Sequence, residues 1–134
     1  MREQAVQTNK ILVVDDEITL VQVCQLILEG EGHSVRAAVN GRQALRLVSD
    51  EMPDLILLDV MMPGMSGIEV CRRIRDDYPN RRPLIIMYTA DNRETVRADS
   101  INAGADAFIV KQNPFFDLPT KLNPYLARQS CFVG

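Results

Sequence analysis

The chain has 134 residues, the length of one ordinary domain whose hydrophobic core needs no disulfide bonds to hold it together. Its 15 basic and 18 acidic side chains give a formal charge of −3, and no basic block interrupts this balance. The composition therefore argues against direct nucleic-acid binding and against a membrane-binding surface.

Five short apolar runs alternate with amphipathic segments, which predicts an α/β fold with a parallel sheet between helices. The runs that read as strands are 10–14, 34–38, 55–58, 84–88 and 107–110. Three of them are continuously apolar, as expected of parallel strands covered on both faces. The second is more polar, which is typical of a strand at the edge of a sheet.

The segments between the strands have the periodicity of helices that bury one face. The predicted helices are 18–29, 42–49, 67–77, 93–103 and 117–128. Asn40 and Ser66 stand at N-cap positions, and three glycines follow helical runs where a left-handed cap is expected: Gly30, Gly32 and Gly104. Because Pro124 removes a hydrogen bond inside the last helix, we expect that helix to be short, displaced or kinked.

Polar side chains stand where the predicted strands end. Asp15 and Asp16 follow the first strand, Asp59 follows the third, Thr89 the fourth and Lys111 the fifth. Because ligands of open parallel sheets bind outside the carboxyl ends of the strands, we expect these residues to surround one point. Carboxylates without a nearby histidine or cysteine favour Mg²⁺ over zinc, and a carboxylate can act as a nucleophile toward phosphorus.

Five separated motifs make the sequence resemble the receiver domain of bacterial two-component response regulators. They are the runs Ile-Leu-Val-Val-Asp-Asp-Glu at 11–17, Asp-Leu-Ile-Leu-Leu-Asp-Val-Met-Met-Pro-Gly-Met-Ser-Gly at 54–67, Tyr-Thr-Ala at 88–90, Ala-Gly-Ala-Asp-Ala-Phe at 103–108, and Lys111. The resemblance implies a flavodoxin-like α/β fold, with five parallel strands in the order 2-1-3-4-5 and helices on both faces. It divides the chain into a disordered N-terminal tail (1–9), a receiver domain (10–128) and a C-terminal tail (129–134).

The resemblance also assigns roles to the residues at the strand ends. Asp15 and Asp16 would help hold Mg²⁺, and Asp59 would bind the ion and become the phosphoacceptor. Met61 would offer its backbone carbonyl to the ion, while Thr89 and Lys111 would contact the phosphoryl group. The implied activity is a phosphoryl-accepting signalling switch, which assists its own phosphorylation and dephosphorylation but is not an enzyme acting on a free substrate.

Two further features of the family bear on regulation. Its switch couples the threonine to an aromatic residue on the fifth strand, and Thr89 and Phe108 occupy those places. The family usually has proline directly after its lysine, whereas here Gln112 and Asn113 separate Lys111 from Pro114. A different loop must therefore aim Lys111, and the Asn113–Pro114 bond is expected to be trans.

The partners implied are a sensor histidine kinase or phosphotransfer protein and an effector or output domain, in a cytoplasmic setting. The sequence does not separate a free-standing receiver from part of a larger regulator, and a phosphorylation-dependent homodimer is allowed but not required. Two alternatives stay open: a receiver-like binding module that works without phosphorylation, and a magnesium-dependent phosphohydrolase. A nucleotide or flavin site is disfavoured because no glycine-rich phosphate loop follows the first strand.

Overall fold

The computed structural model describes residues 9–80, 83–111 and 117–130, with side chains up to 126 in the last segment. The elements in chain order are β1 (Lys10–Val14), α1 (Ile18–Gly30), β2 (Ser34–Ala38), α2 (Gly41–Asp50), β3 (Leu55–Leu58), α3 (Gly67–Asp77), β4 (Leu84–Thr89), α4 (Glu94–Asn102), β5 (Ala107–Val110) and α5 (Leu118–Ser130). The predictions for residues 1–8, for the Asn113–Pro114 bond and for residues 131–134 lie outside the described residues.

All five strands are parallel and form one sheet in the order β2-β1-β3-β4-β5, which confirms the predicted fold. The last residue of β1, Val14, pairs with Leu58 at the end of β3. Leu58 pairs in turn with Met87, and Thr89 at the end of β4 pairs with Val110. The carboxyl ends of four neighbouring strands therefore meet at one edge of the sheet.

Two hydrophobic clusters cover the two faces of this sheet. One contains buried side chains of α2, α3 and α4, and the other contains buried side chains of α1 and α5. Side chains alternate between the faces of a strand, so every residue of β3 (Leu55–Leu58) is buried. Cys24 and Cys71 lie in these clusters as thiols with almost no exposure, where they pack as small core residues.

The ends of the helices confirm most of the predicted caps. The side chain of Asn40 accepts a hydrogen bond from the Gln43 N–H, and that of Ser66 accepts one from the Glu69 N–H. Gly32 and Gly104 have positive φ angles. The prediction for Gly30 is wrong, because this residue is the last of α1 and has no positive φ.

Helix α5 has 13 residues, so of the three forms expected for it the short one is wrong. Its Leu118, Leu122 and Leu126 side chains are buried in the cluster that α1 also joins. Pro124 lies inside the helix on its exposed side. Burial of three leucines stabilises the helix by more than the missing proline hydrogen bond costs.

Asn9, which the sequence places in the N-terminal tail, is buried just before β1. Its carbonyl accepts a hydrogen bond from the Ser34 N–H, at 2.9 Å. The ladder between β1 and β2 is therefore prolonged by one residue at its amino end.

Candidate functional site

Three carboxylates lie together at the carboxyl edge of the sheet. The Asp15 N–H donates to the Ala38 carbonyl at 3.1 Å, and the Asp59 N–H donates to the Val14 carbonyl at 3.0 Å. These bonds continue the strand ladders by one residue and so fix both aspartates beside each other. Together with Asp16 they offer one oxygen each, all within 4.8 Å of one another.

Each buried carboxylate uses one oxygen for the backbone that follows it. Asp15 Oδ1 accepts from the Glu17 N–H at 2.9 Å, and Asp59 Oδ1 accepts from the Met61 N–H at 3.3 Å. The second oxygens both face the Lys111 ammonium, 2.5 Å from Asp15 Oδ2 and 3.4 Å from Asp59 Oδ2. Local backbone bonds thus orient the carboxylates, and the lysine from β5 bridges them.

The electrostatics of this cluster show a shortage of positive charge. Burial raises the pKa of Asp15, and the charge of Asp59 raises it further, although the hydrogen bonds from Lys111 and from the Glu17 backbone oppose this. Burial works against the charged form of Lys111, but the bond to Asp15 and the two carboxylate charges outweigh it and raise the Lys111 pKa. The ammonium therefore keeps its proton near neutral pH, yet it does not balance all the carboxylates around it.

The cluster fits a hard divalent cation. Mg²⁺ prefers oxygen ligands at about 2.1 Å, so the ligand oxygens around one ion lie no more than about 4.2 Å apart. The oxygens of Asp15, Asp16 and Asp59 lie within 4.8 Å of one another and approach that limit before any ion draws them together. Asp16 is exposed, which leaves one side of the cluster open to water and substrate.

Thr89 joins the site through the backbone of Lys111. The Lys111 N–H donates to the Thr89 carbonyl at 2.8 Å, beyond the last pair of the β4–β5 ladder. The Thr89 side chain is fully buried, and its Oγ1 accepts from the Asp91 N–H at 3.3 Å. The Asp91 carboxylate is in turn held by the Arg93 guanidinium, with Nη2 2.6 Å from Oδ2.

Phe108 does not belong to the carboxylate cluster. Its ring is half-buried against the hydrophobic cluster of α2, α3 and α4, and the Arg97 guanidinium lies 5.9 Å from the ring centroid. Met61 follows Asp59 by two residues, and 57% of its surface is exposed. Of the residues predicted for the site, the structure brings together the three aspartates and Lys111, with Thr89 adjoining and Phe108 apart.

Two residues at this edge escaped the sequence analysis. A Cβ atom on Gly67 would lie 2.0 Å from the Asp59 carbonyl oxygen, so only glycine permits α3 to begin this close to β3. The Tyr88 ring lies 5.9 Å from the Lys111 ammonium. Two positions in the sequence could have pointed to them. Gly67 ends the motif at 54–67, and Tyr88 directly precedes Thr89.

Comparisons with known proteins agree with this geometry. The family model "Response regulator receiver domain" matches residues 11–123. The transcriptional regulatory protein ResD of Bacillus subtilis is 46% identical over 107 residues, which cover 78% of this chain but only 43% of that protein. A CheY-like receiver domain protein from Methanospirillum hungatei has 32% identity and a TM-score of 0.82, covering 92% of this chain and 97% of its own. The response regulator TrrA from Thermotoga maritima, solved in complex with Mg(2+)-BeF, has 37% identity and a TM-score of 0.74, covering 87% and 97%.

Proposed function

This chain belongs to the family of response regulator receiver domains, and we propose that its Asp59 accepts a phosphoryl group from a histidine kinase or phosphotransfer protein. Membership of the family makes it a signalling domain of a two-component system rather than a classical enzyme. The observation that carries the proposal is the position of the nearly buried Asp59 carboxylate, beside Asp15 and Asp16 and 3.4 Å from the Lys111 ammonium.

In the proposed reaction, a carboxylate oxygen of Asp59 attacks the phosphorus of a phosphohistidine. The phosphorus–nitrogen bond breaks, its electron pair returns to the imidazole nitrogen, and the phosphoryl group remains on Asp59. Such transfers depend on alignment and charge compensation more than on covalent help from the protein. Lys111, which keeps its proton, would donate a hydrogen bond to a phosphoryl oxygen.

The hydroxyl of Thr89 is suited to a second donation. Its oxygen already accepts the Asp91 N–H, so its own proton is directed elsewhere and could be donated to the phosphoryl group. We propose that this donation draws Thr89 toward the site and favours an inward position of Phe108. Because Phe108 has no hydroxyl, the inward position would leave no polar group to satisfy.

Magnesium held by the carboxylates of Asp15, Asp16 and Asp59 and by the Met61 carbonyl would supply the remaining positive charge for the phosphoryl oxygens. The donor set supports this, because it consists of oxygen atoms alone. The complex of TrrA with Mg(2+)-BeF adds support from a related protein.

We further propose that residues 10–128 form the receiver and that an effector or output domain reads its surface, with a phosphorylation-dependent homodimer as one form of output. The chain spans 43% of the length of its curated relative.

In the described part of the chain, no helix combines the length and the apolarity that crossing a membrane requires. Cys24 and Cys71 are buried as thiols rather than as disulfides, which supports a reducing compartment such as the cytoplasm.

Intact-mass measurement tests the proposal directly. The protein is incubated with magnesium and a small acyl-phosphate donor, beside Asp59→Asn and a matched control, Asp76→Asn, on the exposed face of α3. We expect one phosphoryl adduct in the wild type and in Asp76→Asn, and none in Asp59→Asn. An adduct that survives in Asp59→Asn would refute the assignment of Asp59.

Magnesium titration and incubation with a small phosphate ester, alongside the mass measurement, separate the alternatives. If the wild type binds magnesium but forms no adduct, the binding module that works without phosphorylation replaces our proposal. If it releases phosphate continuously from a small phosphate ester, the phosphohydrolase replaces it.

A further inference from the structure

Three strands contribute contacts to the Lys111 ammonium. The ammonium contacts the carboxylate of Asp15, which follows β1, and that of Asp59, which follows β3. The third contact is the ring of Tyr88 in β4, whose centroid lies 5.9 Å from Nζ. A cation at this distance over an aromatic face is attracted by the electron-rich face of the ring. The lysine side chain is 12% exposed, so solvent screens this attraction only in part.

The strand register explains why the ring lies there. Tyr88 pairs with Ile109, and Lys111 follows Ile109 by two residues, so the two side chains project from the same face of the sheet. Tyr88 is buried in the cluster that α1 and α5 cover, and it lines a gap together with Asp15, Asp59 and Cys24. The gap is too narrow to hold a water molecule, so no water separates the ring from the side chains around it.

The carboxylates alone hold the ammonium unevenly. Lys111 Nζ is nearer to Asp15 than to Asp59 by 0.9 Å, the difference between 3.4 and 2.5 Å. Asp15 is also a proposed ligand of the cation, so its bond to Lys111 competes with that second role. The contact with the ring, by contrast, involves neither carboxylate.

We propose that Tyr88 is a positioning residue, whose ring keeps the Lys111 ammonium in the site and within reach of a phosphoryl group on Asp59. Lysine has a flexible four-carbon stem, and an aromatic surface beneath its ammonium restricts the positions it samples. The proposal rests on the proposed function for its catalytic consequence, but the contact itself can be measured without phosphorylation.

Nuclear magnetic resonance of the lysine side chains tests the contact in magnesium-free protein. The chain has only three lysines, Lys10, Lys111 and Lys121, so labelled Cε signals are assigned by single Lys→Arg variants. In the wild type we expect the Lys111 Hε signals to be shifted by the ring current. Tyr88→Phe keeps the ring and should retain the shift, whereas Tyr88→Leu keeps apolar bulk and should lose it.

The rate of phosphorylation by a small acyl phosphate tests the consequence. We expect Tyr88→Leu to react roughly fivefold more slowly, the factor that corresponds to a contact of about 1 kcal/mol. Tyr88→Phe should react like the wild type, because rescue by the ring alone separates positioning from a loss of packing. Should Tyr88→Leu unfold, Tyr88→Met takes its place in both measurements.

Two results would overturn the inference: Lys111 signals in Tyr88→Leu that match those of the wild type, or equal slowing in the leucine and phenylalanine variants. A wild type that forms no adduct would instead refute the proposed function. The magnesium-free spectra would still decide whether the ring holds Lys111.

Discussion

The two ends of the parallel sheet differ in how their charged side chains are compensated. At the amino end, the Asp106 carboxylate accepts from the Ile85 N–H at 2.9 Å and from Arg75 Nη2 at 2.8 Å. Arg75 also donates to the carbonyls of Gly104 and Pro83, each at 2.9 Å. Each of these bonds pairs a donor and an acceptor within the protein and links separate segments of the fold. This end of the sheet therefore serves stability.

At the carboxyl end, the charged side chains among the described residues do not balance one another. Asp15, Asp16 and Asp59 converge, and the Lys111 ammonium bridges only two of them. A buried carboxylate that lacks compensation raises the free energy of the folded state. This difference between the ends is what the proposed binding of a cation and a phosphoryl group at the carboxyl end requires.

The largest expected effect is at the amino end. Arg75→Ala removes a side chain that is only 11% exposed and, with it, one ion pair to the Asp106 carboxylate. We expect the free energy of unfolding to fall by about 3 kcal/mol, because the bonds of the guanidinium to one carboxylate and two carbonyls are lost, while magnesium affinity stays unchanged. Denaturant unfolding and magnesium titration measure the two quantities.

Arg72→Ala on the same helix is the matched control. Its guanidinium is 3.7 Å from Glu69 Oε1 and its side chain is 52% exposed, so the change should stay within about 0.5 kcal/mol. Equal losses in the two variants would show that the Arg75 network adds nothing beyond its helix. A weaker magnesium affinity in Arg75→Ala would show that the two ends are not independent.

The next largest effect is at the carboxyl end, at Gly67. Gly67→Ala would place a Cβ 2.0 Å from the Asp59 carbonyl oxygen and 2.8 Å from its carbon. The start of α3 or the backbone of Asp59 must then move, and we expect a loss of about 2 kcal/mol in unfolding free energy. Because the clash acts directly on the Asp59 backbone, magnesium affinity should fall as well, in contrast to Arg75→Ala.

Gly30→Ala is the control for Gly67, since no atom lies within 4 Å of the added carbon and the residue ends α1. This substitution should stabilise the protein by about 0.5 kcal/mol because alanine restricts the unfolded chain. If Gly67→Ala bound magnesium as the wild type does, the close approach of α3 would have no part in placing Asp59.

The sequence predicted the carboxyl end far better than the amino end. Convergence of Asp15, Asp59 and Lys111 follows from the general rule that parallel strands end at one edge, and the apolar runs located those ends. The bonds of Arg75 join residues 8 to 31 positions away, and no local pattern encodes such contacts. The sequence therefore placed Arg75 only within the predicted helix 67–77.

The wrong expectation of a short last helix has a similar cause. Pro124 is a strong local signal against a helix, but burial of Leu118, Leu122 and Leu126 depends on α1 and the sheet, which a local pattern does not show. Gly67 and Tyr88 were missed for the same reason, because their roles lie in distances to other strands. Local chemistry predicted the element boundaries and the acidic cluster, whereas tertiary contacts decided the rest.

A smaller effect is expected when the charge shortage of the carboxyl end is relieved. In the wild type, burial and the Asp59 charge disfavour the ionised form of Asp15, so its pKa is raised despite its bond to Lys111. In Asp15→Asn the side chain cannot ionise, so this cost is removed. Without magnesium we expect this variant to be more stable by about 1 kcal/mol. With magnesium, the stabilisation that the wild type gains from the ion should be absent.

Unfolding with and without magnesium tests this, and Asp106→Asn is the counterpart at the amino end. There the carboxylate is paired with Arg75, so the same substitution should lower stability. A loss of stability in magnesium-free Asp15→Asn would mean that the ion pair with Lys111 outweighs burial, and that the two ends are alike.

The smallest effect concerns Tyr88, behind the acidic cluster. Burial, helped by the negative charges of nearby groups, raises the pKa of its phenol from 10.0 to about 12. Between these values the unfolded chain loses the proton while the folded protein keeps it, so stability falls as pH rises from 10 through about 12. Tyr88→Phe lacks this loss. We therefore compare the unfolding free energy of the variant with that of the wild type at two pH values. From neutral pH to about pH 10.5, the difference should shift in favour of the variant by somewhat less than 1 kcal/mol.

Unfolding of the two proteins across this range, with phenolate absorbance as a second readout, checks the expectation. Groups other than Tyr88 titrate in both proteins and cancel in the difference. A difference that does not change with pH would show that solvent reaches the phenol and that this end of the sheet is less enclosed than the carboxylates require. A phenol that stays neutral at working pH also keeps the ring face equally attractive to the Lys111 ammonium, so the positioning contact should not vary with pH where the carboxylates are ionised.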